Sequence, residues 1–255
     1  MWRHIGQSLQ GPSHQADQTP CQDTHSVRVF GEDSRRTLVA CVADGAGSAK
    51  HSDVGSNIAC NAIIENAAQY FEAHGELETL RFEDAVEWCE DARTRIVDAA
   101  ASHDCNTRDF ATTLCVAIIG PKLSSFFQIG DGAIILGNGG LYGVVFWPQS
   151  GEYVNSTNFL TSDEFQAQLE FLTTTNQCSS LALMTDGLER LALRFDNQTP
   201  HVPFFDPLFR ALRSSADLES LSDGLRAFLG SDSVQLRSDD DKTIILAIRT
   251  EDGAA

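Results

Sequence analysis

The chain has little positive charge and no long apolar run. It carries 18 lysine and arginine residues against 36 aspartate and glutamate residues, which gives a formal net charge of −18. Such a surface repels phosphate backbones and anionic lipids, which argues against nucleic-acid and membrane binding. No stretch approaches the roughly 18 apolar residues of a spanning helix, and the N-terminal segment has no apolar signal core. The sequence therefore predicts a cytoplasmic protein that binds neither nucleic acid nor membranes.

Paired cysteines are also lacking. The chain has seven cysteines, an odd number, and none is in a Cys-x-x-Cys spacing. This pattern argues against a disulfide framework and against a structural zinc site. Cys41, Cys60 and Cys115 stand in apolar surroundings, so we predict that they are small core residues in a reducing compartment.

No linker rich in proline, glycine or serine divides the 255 residues, and apolar segments recur along the whole length. We therefore predict one domain that spans residues 1–255. Residues 148–177 fit neither the helical nor the strand period and are rich in threonine, serine and asparagine. We predict a partly irregular flap there.

Short runs rich in β-branched and aromatic residues, often joined by turn residues, are typical of antiparallel sheets. The predicted strands are Arg3 to Leu9, Ser26 to Phe30, Thr37 to Ala43, Thr112 to Ile119, Ser124 to Ile129, Ala133 to Gly137, Leu141 to Phe146, Ser180 to Thr185 and Thr243 to Ile248. Helical periodicity predicts helices at Asp53 to Glu72, Phe82 to Ala101, about Pro207 to Arg213 and Leu218 to Leu229. Paired helices between blocks of strands favour an α+β layered sandwich over a parallel βαβ arrangement.

Three apolar runs end on an Asp-Gly pair. These are LVACVADG at Asp44-Gly45, SSFFQIGDG at Asp131-Gly132 and SLALMTDG at Asp186-Gly187. A single Asp-Gly pair is more often a hairpin turn, because both residues tolerate the positive φ of tight turns. The shared context favours a second interpretation, in which strand ends direct carboxylates to one point at the rim of a sheet. A fourth acidic site, Asp239 to Asp241, comes directly before a predicted strand.

Carboxylate, carbonyl and water oxygens are the ligands that Mg²⁺ and Mn²⁺ prefer. Aspartate suits such a site at a strand end, because its short side chain holds the oxygen close to a rigid backbone. The glycine that follows permits a tight turn and exposes a carbonyl that can itself be a ligand. The pattern therefore indicates an oxygen-lined site for divalent cations.

The order of these motifs resembles the metal-dependent Ser/Thr protein phosphatases of the type 2C (PPM) family. The resemblance rests on QDTH at Gln22 to His25, VADGAGSA at Val42 to Ala49, FATTLCVAII at Phe110 to Ile119, IGDGAIIL at Ile129 to Leu136, LMTDGLERLA at Leu183 to Ala192 and DDKTIILAI at Asp240 to Ile248. Each motif is weak alone, but all six occur in the family's order across nearly the whole chain. The resemblance implies a four-layer α/β/β/α sandwich, in which two antiparallel sheets are flanked by helix pairs.

The resemblance also implies roles for individual residues. Asp44 is similar to the carboxylate that bridges two metal ions, with the Gly45 carbonyl on one of them. Asp186 and Asp240 are similar to further ligands of the first ion. Through these ions, Asp44 and Asp186 would be catalytic, because a water activated by metal would attack the phosphorus in line.

Two further acids complete the implied set. Asp131, together with Asp186, resembles the site of a weaker third ion. Asp23 lies at the N-terminal acidic position of the family, where it would bind directly or through a water. The implied cofactors are two or three Mn²⁺ or Mg²⁺ ions, and the implied substrates are phosphoserine and phosphothreonine in proteins.

The chain departs from the family at three places. Gln22 stands where many members have glutamate, and Ala46 stands where eukaryotic members commonly have the histidine proposed as general acid. The arginine that clamps the substrate phosphate is missing from residues 11–23, which offer His14 instead. His14 is the sequence-based candidate for holding phosphate, although a surface or structural histidine is the commoner reading.

Two other functions stay open at the level of sequence. The fold could serve as a regulatory or binding module with weakened catalysis, or it could hydrolyse small phosphoesters. The segment Gly151 to Thr161 and the short DDKT motif resemble a bacterial subgroup of small stand-alone phosphatases, some of which act together with a dedicated Ser/Thr kinase. We therefore predict a phosphoprotein partner and, from this resemblance, a cognate kinase.

Overall fold

A computed structural model describes residues 1–149, 157–175 and 178–250. The strands are β1 (Trp2–Leu9), β2 (Asp23–Phe30), β3 (Thr37–Asp44), β4 (Leu114–Ile119), β5 (Ser124–Ile129), β6 (Ala133–Asn138), β7 (Leu141–Val144), β8 (Glu170–Thr174), β9 (Ser180–Met184), β10 (Leu193–Arg194), β11 (Thr199–Pro200) and β12 (Lys242–Arg249). The α-helices are α1 (Pro12–Asp17), α2 (Ser52–His74), α3 (Phe82–Ser102), α4 (Phe165–Gln168), α5 (Glu189–Ala192), α6 (Val202–Ser214), α7 (Leu218–Leu229) and α8 (Asp232–Gln235).

Ten of these strands form two antiparallel sheets. The first sheet has the order β1-β12-β9-β6-β7, and the second has the order β2-β3-β4-β5-β8. The strands β10 and β11 form a separate small ribbon. In the second sheet the register pairs Asp23 with Asp44, so the two acids stand opposite each other on neighbouring strands.

Three buried clusters divide the molecule into four layers. One lies between the second sheet and the helices α2 and α3, and includes Ala59, Ile96 and Phe127. Another lies between the first sheet and the helices α6 and α7. The third joins the inner faces of the two sheets. Because both faces of the central strands are covered, β4 and β5 are buried at every position. The predicted α/β/β/α sandwich is confirmed.

The helix ends follow from local chemistry. At the start of α7, the Asp217 carboxylate accepts hydrogen bonds from the backbone N–H groups of Glu219 and Ser220. At the start of α3, the Asp84 carboxylate accepts from the N–H of Arg81 at 2.7 Å. Both caps satisfy donors that a helix leaves unpaired at its N-terminus.

The sequence located the longer elements but missed several short ones, among them α5, α1 and β8. The helix α1 was not predicted, and it carries His14. The strand β8 lies inside the predicted flap and extends the second sheet beside β5. The flap over 148–177 stays a prediction, because residues 150–156 and 176–177 lie outside the described residues. Most of the segment 151–161 lies outside them as well.

The seven cysteines are free thiols, and Cys41, Cys60 and Cys115 are buried, as their apolar surroundings predicted. Within the described ranges, no helix is both long enough and apolar enough to cross a bilayer.

Candidate metal centre

Three carboxylates meet at one rim of the sandwich. They are Asp44 at the end of β3, Asp131 in the turn between β5 and β6, and Asp186 directly after β9. One ligand oxygen from each lies within 4.8 Å of the others, close enough for all three to contact one cation. Because β3 belongs to one sheet and β9 to the other, and the turn with Asp131 connects the two sheets, the group forms only where the sheets face each other.

The backbone around Asp44 is held from both sides. Its N–H donates to the hydroxyl of Thr113 at 3.0 Å, and its carbonyl accepts from the Thr113 N–H at 2.8 Å and from the Thr112 hydroxyl at 3.0 Å. Gly45 donates its N–H to the carbonyl of Gln22 at 3.1 Å. These bonds hold the main chain that carries the carboxylate in place on both sides of Asp44.

Two of the glycines are required by close packing. A side-chain carbon on Gly45 would lie 2.6 Å from the backbone oxygen of Ser52, and one on Gly187 would overlap the backbone oxygen of Asp241. The loops that carry Asp44 and Asp186 can therefore approach their neighbours only without a side chain at these positions. Close contact between loops therefore explains why glycine follows the aspartate in these two Asp-Gly pairs.

The clustered acids resist ionisation. Burial raises the pKa of Asp186 to about 7, with the negative charge of Asp131 as the next contribution. Burial also raises the pKa of Asp44 well above its ordinary value, and so do the charges of Asp23 and Asp186. The pKa of Asp131 is raised by burial, although the Thr157 hydroxyl donates to it at 2.8 Å and partly offsets this. A bound cation would remove this repulsion, because it stabilises the ionised forms.

The structure places Asp23 beside this group and outside the set of three. Its side chain is buried and accepts a hydrogen bond from the Thr185 hydroxyl at 2.7 Å. The same hydroxyl accepts from the N–H of Thr243 at 3.0 Å, which connects the acid to the start of β12. Burial raises the pKa of Asp23 well above its ordinary value. Asp23 is therefore near enough to act electrostatically on Asp44, its partner across the strand pair.

Asp240 is exposed, and it too lies outside the set of three in the described residues. Its charge raises the pKa of Asp44, Asp131 and Asp186, so it faces the same space. Its backbone carbonyl accepts from the ammonium group of Lys242 at 2.6 Å. The Lys242 side chain is buried, and a buried lysine is rare without such a partner.

Sequence reasoning missed the role of Asp241. Its side chain is 2% exposed, and its two oxygens accept from the N–H groups of Gly11 at 2.7 Å and Gln22 at 2.6 Å. The contact ties the chain on both sides of α1 to the start of β12. The acidic run in the sequence gave no means of separating this structural acid from Asp240.

His14 and Gln22 line the loop that follows Asp44. Nδ1 of His14 lies 2.9 Å from the Asp241 carboxylate. A side-chain carbon added at Gly47 would lie 4.0 Å from both Nε2 of His14 and Oε1 of Gln22. The Gln22 oxygen is buried and has no hydrogen-bond partner in the part of the chain that the structure describes. Asp186 Oδ1 is likewise buried without a hydrogen-bond partner in the described residues. Both oxygens can therefore interact with a ligand.

Comparisons with known proteins agree with this architecture. A family model described as "Protein phosphatase 2C" matches residues 10–230. Serine/threonine-protein phosphatase 3 of Escherichia coli (strain K12) is 35% identical over 253 residues, which cover 98% of this chain and 99% of that protein.

Two solved structures have the same fold. A serine/threonine phosphatase from Staphylococcus aureus matches with a TM-score of 0.65 and 18% identity, over 98% of this chain and 96% of that one. PppA from Pseudomonas aeruginosa, described as a regulatory component of T6SS, matches with a TM-score of 0.65 and 16% identity, over 97% of each chain.

Proposed function

Because the chain belongs to the protein phosphatase 2C family, it is a serine/threonine protein phosphatase, and we propose that Asp44, Asp131 and Asp186 form its metal centre. The family is metal-dependent, and the acidic group can hold a cation. The observation that carries the proposal is the convergence of the three carboxylates from two different sheets within 4.8 Å.

The donor set suits a hard divalent cation. It consists of carboxylate oxygens, and the buried Asp186 Oδ1 has no hydrogen-bond partner within the described residues. Mn²⁺ and Mg²⁺ prefer such ligands, whereas zinc in proteins favours nitrogen and sulfur. We infer that Asp44 would contribute to the binding of two ions and the Gly45 carbonyl to one of them, and that Asp186 and Asp240 would complete the first site. Asp131 would hold a third ion, and Asp23 would bind directly or through a water.

When bound, the ions supply an activated water and positive charge for the phosphoryl group. The protein contributes by holding its acids in place. Asp44 is fixed by its bonds to Thr112 and Thr113, and Asp23 is oriented by Thr185. Ala46 offers no proton to the leaving alcohol, so we infer that solvent provides it. His14 remains the sequence-based candidate for a phosphate contact, with Asp241 beside its other ring nitrogen.

The proposed function also concerns the substrate and the location of the protein. We propose phosphoserine and phosphothreonine proteins as substrates, and a kinase that modifies the same proteins as a partner, in the cytoplasm. No observation favours a regulatory module without activity or a hydrolase of small phosphoesters.

The test is hydrolysis of p-nitrophenyl phosphate and of a phosphothreonine peptide, with and without Mn²⁺, by the wild type and by Asp44→Asn. We expect turnover that depends on Mn²⁺ and falls at least about 100-fold in the variant, because several kcal/mol of charge stabilisation are lost. The matched control is Asp223→Asn, which changes an exposed Asp-Gly pair in α7. Equal loss in both variants, or none in Asp44→Asn, contradicts the proposal, and activity on the small ester alone favours the small-ester alternative.

A further inference from the structure

A small polar cavity lies against the metal centre, and two arginines stand in its wall. Its volume is about 170 Å³, and its lining includes the candidate metal ligands Asp186 and Asp240 together with Arg190 and Arg237. At about 30 Å³ for each water, this is room for some five or six waters, which also suits a phosphoryl group. The arginine expected before Asp23 is missing from the sequence, and Arg190 and Arg237 are the two basic residues that line this cavity.

The two arginines come from the same loops as the metal ligands. Arg190 lies in α5, four residues after Asp186, and Arg237 lies three residues before Asp240. The two loops pack closely: a side chain at Gly187 would overlap the backbone oxygen of Asp241. Each loop therefore brings one carboxylate and one guanidinium group to the same wall.

Neutralising the acids would be the simplest role for these arginines. Burial raises the pKa of Glu189 and the charge of Arg190 partly offsets this, but neither arginine pairs directly with a carboxylate in the described residues. Four carboxylates line the cavity, from Asp186, Glu189, Asp239 and Asp240. Within the described ranges, neither Arg190 nor Arg237 forms an ion pair within 4.0 Å or a hydrogen bond through its side chain. By contrast, Arg95 on the surface forms ion pairs with two acids.

We propose that Arg190 and Arg237 bind the phosphoryl oxygens of the substrate beside the metal ions and replace the missing family arginine. This inference rests on the proposed function. A guanidinium group offers a rigid fork of N–H donors that matches two phosphate oxygens, and Arg is always charged. Both side chains are exposed and form neither an ion pair nor a hydrogen bond within the described residues, so neither has to break such a bond to close on an anion.

The test measures phosphate binding directly, so that it does not depend on turnover. Inorganic phosphate is titrated calorimetrically into the Mn²⁺-loaded full chain, for the wild type, Arg190→Met and Arg237→Met. We expect the phosphate Kd to rise about tenfold or more in each variant, while the Mn²⁺ Kd stays within about twofold. The matched control is Arg210→Met, which removes an equal charge from the exposed face of α6 and should leave both constants unchanged.

Kinetics separate phosphoryl contact from peptide contact. If the arginines bind the phosphoryl group, kcat/KM falls by the same factor for p-nitrophenyl phosphate and for a phosphothreonine peptide. Lysine at either position should recover part of the loss, because it restores the charge without the fork. Loss for the peptide alone overturns the assignment, since it would place the arginines against acidic residues of the substrate.

Two other results also overturn it. An unchanged phosphate Kd means that the arginines do not touch the anion. A parallel loss of Mn²⁺ affinity means that they support the acidic cluster instead. If the wild type shows no Mn²⁺-dependent turnover, the proposed function fails, but the phosphate titration still decides the role of the two arginines.

Discussion

Removing the carboxylate of Asp241 should release the segment that precedes β2 from the start of β12 and lower the stability of the protein. The side chain is buried and accepts two backbone N–H bonds, from Gly11 at 2.7 Å and Gln22 at 2.6 Å. In Asp241→Ala both donors are left buried without an acceptor, unless water enters. Each such group costs about 1–3 kcal/mol, so we expect the free energy of unfolding to fall by about 2–6 kcal/mol.

Urea unfolding of the metal-free protein at pH 7, followed by tryptophan fluorescence, measures this loss. For a chain of this size, 1 kcal/mol corresponds to roughly 2–4 °C in Tm, so the melting temperature should fall by at least about 4 °C. Asp241→Asn keeps one acceptor oxygen in the same place, and its loss should be about half as large.

His14→Gln separates the backbone bonds from the side-chain contact. The imidazole is partly exposed and lies 2.9 Å from the same carboxylate. We expect a loss below about 1 kcal/mol, because the two backbone N–H bonds to Asp241 remain and glutamine keeps a polar group at this position. If Asp241→Ala stays within about 0.5 kcal/mol of the wild type, or if His14→Gln costs as much, the two backbone bonds do not hold the segment and the reasoning is wrong.

The remaining predictions concern the metal centre. Burial raises the pKa of Asp186 from its ordinary 3.8 to about 7, so the folded state holds a proton that the unfolded state releases between these values. Without metal, the free energy of unfolding should therefore fall as pH rises from about 4 to 7, and Mn²⁺ should reverse the fall. Urea unfolding at pH 5 and pH 8, with EDTA or with Mn²⁺, checks this. A free energy of unfolding that rises with pH in EDTA contradicts it. Gly187→Ala should weaken Mn²⁺ binding at least about tenfold, because the loops of Asp186 and Asp241 must separate. Calorimetry decides, with Gly224→Ala in α7, where an added carbon meets nothing within 4 Å, as the unaffected control. Lys242→Met removes the donor at 2.6 Å from the Asp240 carbonyl and should weaken Mn²⁺ binding about tenfold in the same titration; unchanged affinity would mean that the ammonium does not position Asp240.

Much of the fold could be predicted from the sequence, because elements that are buried on both faces have long apolar runs or a clear apolar periodicity. The run at β4 is apolar throughout, and the periodic stripes at α2 and α3 match the faces that pack on the second sheet. The strand β8 was missed because an edge strand is half exposed and needs no apolar face. The helix α1 was missed because it has six residues and buries none of them.

The candidate site divides in the same way. The three Asp-Gly pairs were visible because each acid follows a buried run, and the structure brings Asp44, Asp131 and Asp186 together. The separate tasks of Asp240 and Asp241 were not visible, because adjacent identical residues point in different directions only once the backbone is placed. The contact of the Lys242 ammonium with the Asp240 carbonyl could not be expected either, since burial of a lysine depends on a partner that local sequence does not name.

The sequence by itself determined the layered α+β architecture, the acidic strand ends and the family, because these depend on periodicity and on the order of residues along one chain. Only the tertiary structure decided which acids meet. Asp44 ends a strand of one sheet, Asp186 follows a strand of the other, and Asp131 lies in the turn that connects the two sheets, so their proximity depends on how the sheets face each other. The cavity that joins Arg190 and Arg237 to these acids has the same origin, because it forms between two loops that are about fifty residues apart in sequence.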